Sequence, residues 1–241
     1  ETVNVIYYDP ATDPYTTLGQ WNTQLQIALN TSLTGPSTPL NVNNAAYDIG
    51  HMFGASGGGG SAGCVGCVCD DGIKGRGKTA PSNGVPAGDT FDIDFVIHEM
   101  GHQFGANHTF SDNVENSGVN VEPGSGSTIM GYAGITSRDV QAHSDAYFVY
   151  ASVKQIQDNM VGKTCPTRLD LSNSTPTANA GLDYTIPKGT AFKLTGTGSD
   201  ADTNDVLSYS WEQNDDGTAA TVGANSTTTD MKTVGPTFRL F

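Results

Sequence analysis

Five residues between positions 98 and 108 carry a chemistry through their types and spacing. The stretch His98-Glu99-Met100-Gly101-His102-Gln103-Phe104-Gly105-Ala106-Asn107-His108 reads HExxHxxGxxH. On a helix, His98 and His102 leave one face a turn apart, so both imidazoles can grip one cation. Glu99 points elsewhere and reaches water on the metal rather than the metal itself. Gly105 can take a positive φ, which ends the helix and turns the chain back. The turn returns His108 as a third ligand. Three neutral imidazoles on Zn2+ leave a fourth position for water, the arrangement of a catalytic site. Zinc lowers the pKa of that water from about 15.7 toward 7. Glu99 then takes its proton as general base and passes it to a leaving amine. A chance HExxH on a buried helix explains five residues. It does not explain the glycine and the third histidine.

These groups need elements to hold them. Thr90–Phe104 reads as the helix, with Asp92 or Asp94 capping its start and Gly105 stopping it. Val3–Tyr8, rich in β-branched and aromatic residues, reads as a buried strand. Leu18, Trp21, Leu25, Ala28 and Leu29 recur at helical spacing and predict an amphipathic helix over Thr17–Leu29. Tyr47–Phe53 reads as a strand. Residues 54–72 are glycine-dense and hold three cysteines, and a flat edge strand with tight turns is expected there. Residues 111–128 read as polar loop, and Tyr147–Met160 as a last helix before Cys165-Pro166. From Leu171 the composition changes, and 172–177 is a linker by content. Beyond it, Thr185-Ile186, Ala191–Leu194 and Leu207–Trp211 alternate with Gly, Asp and Asn turns. They predict a small all-β module. It is shorter than the ~100 residues of an immunoglobulin-like sandwich, so it is compact or truncated.

Composition bounds the partners. The chain has 241 residues, with 11 Lys+Arg against 25 Asp+Glu and a net charge of −14. Nucleic acid and anionic membrane surfaces are polyanions, so neither is an expected partner. No apolar run reaches the ~20 residues of a membrane span. The 30 glycines and 11 prolines argue for loops and strands over a helical bundle. The chain opens Glu1-Thr2-Val3, without an initiator Met or a leader, so removal of a leader or cutting from a larger chain is expected. Cys64, Cys67, Cys69 and Cys165 make an even count, which suits two disulfides and an oxidising compartment. A four-thiolate zinc site fails on spacing. Secretion follows. Few basic residues with many Gly and Asn also suit a cold habitat, a reading from composition alone.

The extended motif resembles that of the metzincin zinc endopeptidases. Downstream, SGSTIMGY (Ser125–Tyr132) resembles their Met-containing turn, with Met130 as the floor beneath the zinc histidines. GHQFGANHTF, EPGSGSTIMGYAGI and YDIGHMF look like secreted bacterial reprolysin-like (adamalysin-type, M12B-like) metalloproteases. The pappalysin group is similar in its xHTF ending. The resemblance covers residues 1–168. It implies an α/β (α+β) zincin-like catalytic domain with a mixed sheet and an active-site helix, a linker over 169–177, and a small all-β sandwich over 178–241. Residues 176–213 resemble PKD or immunoglobulin-like modules, with Trp211 as core tryptophan.

The sequence departs from the family in three places. The strand and helix that usually precede Val3–Tyr8 are not found, which suggests a fragment or processed form. The cysteines often flanking the Met-turn are replaced by SDNVENSG and ITSRD, which predicts a less constrained loop over 111–126. Tyr132 sits at the offset where astacin- and serralysin-like enzymes place a fifth zinc ligand and oxyanion donor. The alternative is a wall tyrosine.

The resemblance implies further roles. Ser61, Ala62, Gly63 and Cys64 fall where metzincins place the edge strand that receives substrate. Gly131, Tyr132, Ala133 and Gly134, on toward Ile135, would wall the S1′ pocket. Cys69–Cys165 and Cys64–Cys67 are the expected bridges among three connectivities. His51 and His143 are read as structural. Calcium is the sharper alternative to capping at Asp92 and Asp94, and to a solvated turn at Asp200, Asp202 and Asp205. The expected protein is a monomeric secreted endopeptidase using one zinc on protein or peptide substrates. The competing class is an inactive or fragmentary relative that binds or adheres through its β module. Glu99 argues against it, since a binding site has no use for a base beside the metal.

Overall fold

The computed structural model describes residues 9–32, 45, 47–113, 115–229 and 232–238. The strand expected over Val3–Tyr8 lies outside them. The described residues of Glu1–Pro166 and Glu212–Phe241 form one compact unit, and Thr167–Trp211 forms another.

In the first unit, a 3-10 turn (Leu18–Gln20) leads into α1 (Trp21–Ser32). Leu25 and Ala28 are buried, on the face that meets the sheet. Gln26 is buried too, and its Oε1 accepts from the Gly75 N–H at 2.7 Å. The sheet has β1 (His51–Phe53), β2 (Gly59–Ser61) and β3 (Gly77–Ala80), in the order β1-β3-β2. β1 pairs parallel to β3, and β2 pairs antiparallel to it, with Gly60 opposite Thr79. The sheet is therefore mixed. β2 is an edge among the described strands, and Ala62, Gly63 and Cys64 continue from it as loop. The expected strand over Tyr47–Phe53 is only three residues long.

The helix expected over Thr90–Phe104 is broken in type. It runs as α2 (Asp89–Phe91), a π-helical stretch (Asp92–Ile97) and α3 (His98–Phe104). Its N-cap is Gly88, and neither Asp92 nor Asp94 caps it. Asp94 accepts instead from His143 Nδ1 and the Ser144 N–H, both at 2.8 Å. Both of its oxygens are used, and neither Asp92 nor Asp94 joins a metal-ligating cluster among the described residues. The calcium alternative has no ligand set there. Gly105 ends α3 at φ 121°, as its position in the motif demands.

α4 (Tyr150–Val161) packs on α3. Asn159 Nδ2 donates to the Phe104 carbonyl, an orphan acceptor at the end of α3. Between these helices lie Ala106, Ile129 and Met130, with Ile93, Ile97, Phe148 and Ile156 packed around them. Disulfides join Cys64 to Cys67 and Cys69 to Cys165, the second tying the glycine-dense segment to the chain beyond α4.

The loop after His108 is well tied, against the looser loop expected. Ser111 and Asp112 donate N–H to Gly124 O, and Glu122 N–H to Thr109 O. The Glu122 carboxylate is buried under Thr109, Ser127 and Thr128. The returning segment adds more: Gly217 N–H donates to Asn120 O, and Asn120 N–H to Asp216 Oδ1, both at 2.8 Å. Backbone and a buried carboxylate do here what a disulfide does elsewhere.

In the second unit, β4 (Thr177–Asn179) and β5 (Thr197–Ser199) pair antiparallel. The expected runs at 185–186, 191–194 and 207–211 carry no strand. No residue of Thr167–Trp211 is buried, and Leu182 is 81% and Val206 95% exposed. Among the described residues, this two-stranded sheet is the β-structure of the second unit. Asp200, Asp202 and Asp205 come together, but Asp202 accepts from the Ser174 N–H and Asp200 from the Asp202 N–H, as in a solvated turn.

Candidate metal centre

The π-helical stretch ends at Ile97, so α3 begins with the first histidine. π-Helical turns are uncommon and concentrate at functional sites. His98 and His102 lie one turn apart and are 4% and 8% exposed. The turn at Gly105 brings His108 back to them, and the Asn107 N–H donates to Gln155 Oε1 on α4. One ring nitrogen from each of His98, His102 and His108 falls within 4.8 Å of the others. His102 Nε2 and His108 Nε2 are 3.0 Å apart.

The opposite nitrogens are all engaged. His98 Nδ1 lies 2.6 Å from Ile129 O, and His102 Nδ1 lies 2.7 Å from Ala106 O. His108 Nδ1 faces both carboxylate oxygens of Glu115 at 3.0 and 2.9 Å. A carbonyl or carboxylate at Nδ1 calls for Nδ1–H, which leaves each Nε2 with a free lone pair. Burial, and then the neighbouring imidazoles, push the pKa of His98 down to about 3. Burial and His102 do the same for His108. Burial lowers that of His102. Three neutral, convergent imidazoles with no proton to fill the space between them fit a divalent zinc-type cation.

Glu99 lies beside the triad beneath β2. A Cβ on Gly60 would collide with the Glu99 side chain, so the strand passes close over this carboxylate. Burial pushes the Glu99 carboxyl up to about 7, against a hydrogen bond from the Ala62 backbone and the charge of Lys78. The Tyr132 ring packs against His98, His108 and Phe110, with centroids 5.5, 4.5 and 4.5 Å away. Burial, with Glu99 and Glu115 nearby, raises its hydroxyl to about 12. Met130 is wholly buried in the cluster with Ala106 and Ile129, and its Sδ lies against Gly101 of α3.

Two clefts flank Glu99. One of 330 Å³ is lined by Gly131, Tyr132, Ala133 and Gly134, with Phe95 and Asp94. The other, of 390 Å³, is lined by Ser61, Ala62, Gly63 and Cys64, with Asn107 and Glu115. His51 stands apart: its Nδ1 meets Gln103 Oε1 and its Nε2 meets Thr79 Oγ1, both at 2.8 Å. Glu115 and Glu122 were not singled out in the sequence. Both are lone carboxylates in a polar loop, and only the folded chain places one on His108 and the other under the Met130 turn.

The description "Metallo-peptidase family M12B Reprolysin-like" matches residues 1–162, and "PKD domain" matches residues 173–230. Neither the curated proteins nor the solved structures give a match.

Proposed function

Since this chain belongs to the reprolysin-like M12B metallopeptidases, we propose that it is a secreted zinc endopeptidase. The observation that carries the proposal is the pair of Nε2 atoms 3.0 Å apart, with Glu99 lining the same cleft as His102 and His108. His98, His102 and His108 would hold the ion. When bound there, zinc acidifies water and polarises a carbonyl.

The chain's own residues do the rest. Glu99, held by the Ala62 N–H, has a carboxyl near neutrality, suited both to accept and to release a proton. Its carboxylate takes the proton of the attacking water and delivers it to the nitrogen of the departing chain. Tyr132 keeps its hydroxyl proton and offers it to the oxygen of the scissile carbonyl. β2 receives the substrate backbone as an added strand, since an edge presents unpaired N–H and C=O groups. The residue after the cut then enters the 330 Å³ cleft against Gly131–Gly134. The residues before it lie along Ser61–Cys64. Export is supported by the two disulfides, because such bonds persist in oxidising compartments. The PKD-matching segment is the accessory module of this reading.

The test is cleavage of casein or a quenched peptide by the purified chain, with and without a zinc chelator. Cleavage that the chelator stops and added zinc restores supports the proposal. Cleavage indifferent to the chelator, or none by zinc-loaded protein, contradicts it.

A further inference from the structure

The three histidines are not held alike. His98 and His102 set their Nδ1 atoms against backbone carbonyls, which come with the fold. His108 sets its Nδ1 against a side chain, the carboxylate of Glu115, with both oxygens within 3.0 Å. The His108 side chain is 15% exposed and that of Glu115 36%. Glu115 therefore reaches inward from the loop after His108 and lines the 390 Å³ cleft.

A carboxylate behind a ligating imidazole fixes its tautomer and orientation and strengthens its donor nitrogen. The geometry points to Glu115 as a positioning residue of the metal centre, coupling the loop after His108 to zinc affinity. The inference rests on the reading of His98, His102 and His108 as one metal site. Coupling of this kind is reciprocal. Zinc that gains affinity from Glu115 must in turn hold the loop that carries it.

The full chain, stripped of metal, is titrated with Zn2+ against a chromogenic chelator at one pH. Glu115→Gln keeps the size and removes the charge, and Glu115→Ala removes the contact. Loss of such a partner costs about 10- to 100-fold in metal affinity. We expect that range for Glu115→Ala and a smaller loss for Glu115→Gln. The metal-free melting temperatures should match wild type, because the residue sits on a partly exposed loop. Hydrogen exchange supplies a second readout: zinc should slow exchange over 111–118 in wild type and not in Glu115→Ala. Wild-type affinity retained in both variants overturns this inference and leaves the metal-site reading standing. A wild-type chain that takes up no zinc overturns both.

Discussion

His98 Nδ1 lies 2.6 Å from the carbonyl oxygen of Ile129, the residue immediately before Met130. One hydrogen bond thus joins the first histidine of α3 to the turn that carries Met130. The turn returns the contact: a Cβ on Gly101 would fall 2.5 Å from Met130 Sδ, so the sulfur lies against the helix between the two histidines. Met130 is wholly buried. Met130→Ala should cost about 2–5 kcal/mol, the range for truncating a buried side chain to alanine. Met130→Leu, close in volume, should cost less than about 1.5 kcal/mol. Denaturant unfolding with unchanged slope checks both. Equal costs for the two would refute the packing account.

Glu122 ties the chain just after His108 to the segment that carries Met130. Its carboxylate accepts from Thr109 Oγ1, from the Ser127 and Thr128 N–H groups at 2.8 and 3.1 Å, and from Thr128 Oγ1 at 2.7 Å. Thr109 follows His108 directly, so the third histidine and the Met130 turn share one buried acceptor. Glu122→Ala strands these donors at roughly 1–3 kcal/mol each. A loss of at least about 3 kcal/mol is expected, read as a lower urea midpoint. An unchanged midpoint would contradict the network's role.

The site's groups were legible because a short motif fixes local geometry. Spacing of four on a helix and a glycine turn suffice to converge His98, His102 and His108. Met130 is picked out by its resemblance to a known turn, and the structure buries it against Gly101 of α3. Glu115 was not, since nothing local marks which loop carboxylate will meet His108. The cap at Asp92 or Asp94 misled because Asp94 found partners in His143 and Ser144, 49 and 50 residues away in sequence. In Thr167–Trp211 the pairing of β4 with β5 forms, while Ile186, Phe192, Leu194 and Trp211, from the expected runs, line one cleft without strand structure.

His51 gives a pH signature. Burial lowers its pKa from 6.5, with the Gln103 hydrogen bond opposing. Between 6.5 and the lowered value the unfolded chain binds more protons than the folded one. The stability His51 contributes is therefore full above about pH 6.5 and falls as pH drops below it. His51→Gln should melt lower than wild type at pH 7.5, and the gap should narrow toward pH 5. A gap constant across this range would show that His51 is not held neutral.

The two disulfides should differ sharply in worth. Cys69–Cys165 closes a separation of 96 residues and Cys64–Cys67 one of three. Loop-closure entropy gives about 4.7 kcal/mol for the first and about 1.6 for the second. Replacing Cys69 and Cys165 by serine should lower the melting temperature far more than replacing Cys64 and Cys67. The reverse order would place the main staple in the wrong bridge.

In the proposed peptidase, built on three histidines, Glu99 is the group that moves the proton. Glu99→Gln tests it directly, with metal content and peptide cleavage measured on the same sample. Glu99→Gln should hold one zinc per chain, as in wild type, and lose about 10²–10⁴-fold in kcat/KM. Cleavage at the wild-type rate by the zinc-loaded variant would contradict it.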